Sequence, residues 1–143
     1  MEAMNVAKYI INKCANDNHP ISNLQLQKIM YYIQYEFLVK FDKPLFEDDF
    51  QAWKFGPCIP KIYYMYCGAG SLKLEYNYSE SNKFFDKKQR DMIDKIVEDK
   101  RKKYPWDLVA DTHKIGKAWD LAFKDGVGVK SIIKKQDIKY NAF

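Results

Sequence analysis

His113 is the one histidine placed near a packed region, and histidine can move protons near neutral pH. Asp111 and Asp120 are acids that could orient it, which would give a small enzyme a general base. No Ser or Cys stands with His113 in a recognisable triad motif, so it is read as a structural hydrogen-bonding residue and the chain as a non-enzyme. Glu47-Asp48-Asp49 offers three carboxylates to a Mg²⁺ ion, but successive residues point in different directions and no second cluster supports them. Cys14, Cys58 and Cys67 contain no CxxC pair, so they form neither a zinc pattern nor a disulfide framework. Free thiols in a reducing cytoplasm are the expectation. Gly68-x-Gly70 lacks the third glycine and the lysine of a phosphate loop, and reads as a helix cap and loop. No catalytic residue, metal or cofactor is expected.

The elements that would position such groups belong to one domain spanning residues 1–143. Hydrophobic residues make up 47% of the chain, enough for a packed core rather than a disordered polymer. The charge is uneven. Residues 1–83 balance nine lysines against nine acids, so residues 84–143 carry the whole net charge of +5. A basic C-terminal half, with Lys100-Arg101-Lys102-Lys103 at its centre, is the feature a nucleic-acid-binding regulator would use. The same run falls at the end of a predicted helix, where cations suit the helix dipole, and acids are interspersed; that structural reading is preferred. No signal layout opens the chain and no apolar run is long enough to span a bilayer, so a cytoplasmic location is expected.

Periodicity predicts a helix over 3–16, with Val6, Ile10 and Cys14 on one face. Ser22 and Gln25 form a capping-box pattern that opens a second helix running to about Phe41. That helix is apolar over much of its circumference, through Leu26, Ile29, Met30, Ile33 and Phe37 and a second stripe of Tyr31, Tyr35 and Leu38. Such a helix sits at the centre of a fold. Asp86 and Gln89 repeat the capping pattern ahead of a surface helix. Further helices are expected near 106–111, 117–123 and 134–143, with a small sheet from residues near 50–53, 72–78 and 130–133. The fold class is mainly α with a small β-sheet (α+β), compact around the helix at 22–41.

Residues Gln51 to Tyr63 join the helical patterns. Trp53 reads as an anchor, Gly56-Pro57 as a break that ends the strand at 50–53, and Pro60 as the first turn of a helix carrying Tyr63, Tyr64 and Tyr66. Three tyrosines within four residues cannot all face inward on a helix, so Tyr63, Tyr64 and Tyr66 are the candidate partner-binding anchors.

Two stretches resemble a known family. The run Ile21-Ser22-Asn23-Leu24-Gln25-Leu26-Gln27-Lys28-Ile29-Met30-Tyr31-Tyr32, followed by Ala52-Trp53-Lys54-Phe55-Gly56-Pro57-Cys58-Ile59-Pro60-Lys61-Ile62-Tyr63, resembles the Panacea domain of SocA-like antitoxins and phage-associated proteins. The later Leu108, Thr112-His113 and Trp119 are similar to the family's third motif, although Gly116-Lys117-Ala118 replaces the usual proline before the tryptophan. The resemblance implies an antitoxin-like protein in a toxin–antitoxin, prophage or mobile-element setting. It would neutralise a cognate toxin encoded nearby, by direct binding or by delivering it to an ATP-dependent protease. Leu26, Lys28, Tyr32, Trp53, Gly56, Pro57, Pro60, His113 and Trp119 carry over as domain-defining positions with structural roles. Neither the oligomeric state nor the identity of the toxin follows from the resemblance.

Overall fold

A computed structural model describes residues 1–143. Helix α1 (Ala3–Asn16) and helix α2 (Asn23–Phe41) lead into strands β1 (Phe50–Trp53) and β2 (Gly56–Cys58). Helices α3 (Pro60–Tyr66), α4 (Lys87–Lys100), α5 (Pro105–Thr112) and α6 (Ala118–Phe123) follow, then strand β3 (Ile132–Ile133) and helix α7 (Lys135–Asn141). Short 3₁₀ turns lie at Cys67–Ala69, Ser79–Phe84 and Lys124–Gly126. No helix is long and apolar enough to cross a membrane.

Helix α2 is the hub. Both faces of its first three turns are buried, and α1, α3, α4, α5, α7 and β2 all pack against it. Its start is set by the predicted capping box: the Ser22 hydroxyl accepts from the Gln25 N–H, and the Gln25 side chain accepts from the Ser22 N–H. Asp86 and Gln89 repeat this at α4, whose narrow buried face is Ile93 and Val97. The acidic run before β1 has its own local work. Asp48 accepts the free Ala3 N–H at the start of α1 at 2.8 Å, and Asp49 pairs with Lys135 at 2.7 Å.

The sheet has the order β2-β1-β3, with both pairings antiparallel. Two parts of it differ from expectation. Residues 72–78 pair with no strand: the Leu74 N–H goes to the Ile21 carbonyl and the Tyr78 N–H to the Asn12 side chain. Their alternation reflects Leu74 packing inward, not a ladder. The third strand comes instead from Gly56–Cys58, which reads as a break in the sequence. Pro57 lies opposite Ala52, while Gln51 and Cys58 face each other at the neighbouring position. Pro57 thus occupies an edge position where its missing N–H costs no ladder bond. The turn uses Lys54-Phe55, and the positive φ it needs (+109°) falls on Gly56.

A candidate partner-binding groove beside a buried clasp

Strand β2 is an edge strand, and its outer side faces α2 rather than water. The Pro57 carbonyl points away from β1 and accepts from Lys28 Nζ at 2.8 Å. The Ile59 N–H, two residues on, donates to Gln27 Oε1 at 2.9 Å. Asn23, one turn earlier, donates to the Tyr63 carbonyl on α3 at 3.2 Å. Gln34, two turns later, holds the 45–46 loop through the Leu45 N–H and the Phe46 carbonyl. A line of buried amides and one lysine on the central helix therefore takes up backbone groups that the short strands and loops leave open. The apolar stripes of α2 mask the three amides in the sequence, whereas Lys28 is among the domain-defining positions. The available signal was the set Asn23, Gln27 and Gln34, amides at helical spacing on an otherwise apolar helix.

Lys28 is only 2% exposed, and burial pulls its ammonium down to a pKa of about 7. Its chain passes where a side chain on residue 56 would lie: a Cβ built on Gly56 would stand 2.8 Å from Lys28 Cε and 2.8 Å from Thr112 Oγ1. Thr112 ends α5 and His113 follows it, stacked on the Trp119 ring at 3.7 Å and 3° between planes. Trp119 Nε1 donates to the Trp53 carbonyl at 2.8 Å. Lys28, Gly56-Pro57 and Thr112-His113-Trp119, far apart in the chain, are thus brought together into one clasp between α2, the hairpin and α6.

No catalytic dyad forms there. Asp111 accepts from Tyr32 at 2.7 Å and from Lys103 at 3.0 Å, while Asp120 accepts the Gly116 N–H at 2.8 Å. His113 Nε2 is buried without a protein partner. Burial, followed by the charge of Lys28, pushes the His113 pKa below its ordinary value.

Leu26 is fully buried, and Tyr32 stacks on Phe143 at 4.2 Å. Pro60 opens α3 as its first residue. Trp53 is placed differently from the anchor expected. Strand alternation sends Phe50 and Ala52 into the core and leaves Trp53 half-buried on the other face, against Tyr63 at 5.0 Å and Tyr64 at 6.0 Å. The three candidate tyrosines separate: Tyr63 and Tyr64 are 37% and 60% exposed, whereas Tyr66 is 2% exposed and shares a hydrogen bond with the Tyr78 hydroxyl. Helix α3 turns its Ile62–Tyr66 face inward, so Tyr66 leaves the set of surface anchors.

Beside the clasp lies a groove of about 460 Å³. Leu24, Trp53, Phe55, Cys58, Tyr63 and Trp106 supply its apolar walls, with Asn23, Gln27, Lys28 and Lys54 among the polar lining groups. Phe55 at the hairpin tip meets Trp106 of α5 edge-on at 5.2 Å, although both rings are about half exposed. Neither aromatic carries a sequence signal that distinguishes it from a core residue.

A family model described as "Antitoxin SocA-like, Panacea domain" matches residues 26–120, which include all three parts of the clasp. This chain belongs to that family. It is also similar to Antitoxin SocA of Caulobacter vibrioides (strain NA1000 / CB15N), at 41% identity over 70 residues. The aligned part covers 49% of this chain and 37% of that relative, so the match spans well under half of the relative's length. No solved structure matches the chain. The three sequence motifs of this chain thus meet in one clasp beside the groove, with Lys28 and Gly56 shared between them.

Proposed function

We propose that this Panacea-domain protein acts as an antitoxin by binding a toxin protein directly and occluding it. Membership of the antitoxin SocA-like family carries the reading. Its support in the molecule is the contrast between a tightly tied clasp and the exposed aromatic surface mounted on it. Tyr63, Tyr64, Phe55 and Trp106 are large rings at the surface of well-anchored elements, the type of residue that dominates protein–protein affinity. No chemistry by the chain itself is part of this function, and no cofactor.

The basic run contributes less to a nucleic-acid reading than its sequence suggests. Arg101 pairs with Asp17 at 2.7 Å, Lys103 pairs with Asp111, and Lys100 lies over the Tyr32 ring at 4.2 Å. Three of its four cations are therefore engaged within the fold. The test is co-expression of this chain with the product of the adjacent gene, scored by growth and by co-purification. Rescue of growth together with a stable complex is expected; a harmless neighbour that does not bind would sink the proposal.

A further inference from the structure

We infer that the groove bounded by Trp53, Phe55, Tyr63 and Trp106 is a receptor for an acidic side chain carried on an apolar segment of a partner protein. The inference rests on the reading that this chain binds a protein, and it names the chemistry of the piece it binds.

Three observations carry it. The first is charge. Lys28 and Lys54 line the groove, Lys130 lies over the Trp53 ring at 5.4 Å, and no lining residue is an acid. The second is the state of Lys28. Its Nζ donates to a single protein acceptor, the Pro57 carbonyl, although the residue is only 2% exposed. The missing Cβ of Gly56 is what gives the amine its place: that Cβ would be 3.2 Å from Nζ, and Gly56 itself forms part of the groove wall. A carboxylate seated in the groove would supply a second, charged acceptor for the amine, in a setting where a charge-assisted hydrogen bond is strong. The third is the wall. Trp53, Tyr63, Phe55 and Trp106 offer apolar area in rigid side chains, with Phe55 and Trp106 already in mutual contact at the mouth.

One buried amine, with Lys54 at the groove and Lys130 over the Trp53 ring, suits a single carboxylate. A nucleic-acid strand presents a phosphate at every nucleotide and is tracked by a row of cations, which this groove does not have. A groove of about 460 Å³ accommodates a few side chains, not a folded surface.

The experiment pans a displayed library of random 12-residue peptides on the full chain, then measures the enriched peptides by fluorescence anisotropy. The expected result is a shared Asp or Glu next to Leu, Phe or Trp. Affinity should fall at least tenfold when that carboxylate is replaced by its amide, and at least tenfold on Lys54→Glu or Trp106→Ala. Lys95→Glu, on α4 and outside the groove lining, should change it less than twofold. Lys54 and Trp106 are exposed, so their variants test the groove without threatening the fold, and unchanged thermal midpoints verify that. Absence of enrichment, peptides indifferent to the amide, or peptides displaced by a 15-nucleotide oligouridylate would each overturn the inference. So would a dimer of this chain that Trp106→Ala dissociates, since a second copy would then be the occupant. Because the peptides are random, the outcome is independent of the neighbouring gene. Acid-selective peptides alongside an inert neighbour would leave the groove standing and remove the toxin; a bound toxin insensitive to the groove variants would do the reverse.

Discussion

The segment from Trp53 to Tyr64 has two sides, and they are built on opposite principles. On the inner side, Gly56 and Pro57 are buried: Lys28 of α2 holds the Pro57 carbonyl, Gly56 packs against Lys28 and Thr112, and Trp119 of α6 holds the nearby Trp53 carbonyl. On the outer side, Phe55, Tyr63 and Tyr64 project into solvent with no hydrogen bond through their side chains. A residue change on the inner side must disturb several elements at once, whereas one on the outer side disturbs little beyond a ring–ring contact. The two sides can therefore be changed separately, because the fold does not depend on the outer one.

The sharpest way to break the inner side is Trp119→Ala. It removes a 6%-exposed ring, the His113 stack and the donor to the Trp53 carbonyl, and should cost about 3–5 kcal/mol in urea denaturation. Gly56→Ala comes next. At φ +109° an alanine is strained, and its Cβ would meet Lys28 and Thr112, so about 2–4 kcal/mol should be lost. A loss below 0.5 kcal/mol for either variant would show that the clasp does not hold the hairpin.

Lys28 gives the comparison a pH signature. Burial sets its pKa near 7 in the folded protein, while the unfolded chain titrates near the ordinary lysine value. Between those values the unfolded state binds more protons, so stability rises with pH. Cys58, pushed up to about 12 by burial, and Cys14, also raised by burial, act in the opposite direction once the unfolded thiols begin to ionise above about pH 8, which leaves pH 7 to 8 as the working window. The lowered His113 pKa acts below that window, where the unfolded histidine is protonated first. Stability of the natural protein should climb on the order of 1 kcal/mol from pH 7 to 8. Lys28→Met should flatten that climb; an unchanged slope would mean that the amine is hydrated and charged throughout.

The smallest effect on stability belongs to the outer side. Phe55→Ala and Trp106→Ala should each shift folding by roughly 0.5 kcal/mol or less, since both rings are about half exposed. Their weight should appear in toxin neutralisation instead. If these variants unfold the protein as readily as Trp119→Ala does, the division between the two sides is wrong.

Most helices were legible in the chain because their signals are local. The two capping boxes need only four residues each, Pro60 opens α3 unaided, and the unbroken apolar face of α2 identifies it as central. Residues 72–78 and 56–58 depart from the sequence pattern for a single reason. Alternation records which side chains are buried, whereas a strand is defined by where its backbone hydrogen bonds go, and those go to groups distant in sequence. Trp53 was legible as important but not as outward-facing, because Gly56–Cys58 was not recognised as the second arm of its hairpin.

The amino-acid order by itself determined the helices, their caps, the family and the three motifs, since each depends on neighbours within a few residues. Tertiary structure alone decided that Lys28, Gly56 and Trp119 meet, that Tyr66 turns inward while Tyr63 and Tyr64 do not, and that Phe55 and Trp106 close one groove. Those outcomes depend on how α2, the hairpin and α5 pack. A lysine reads as a solvated charge until the fold shows that a glycine has left room for it in the core.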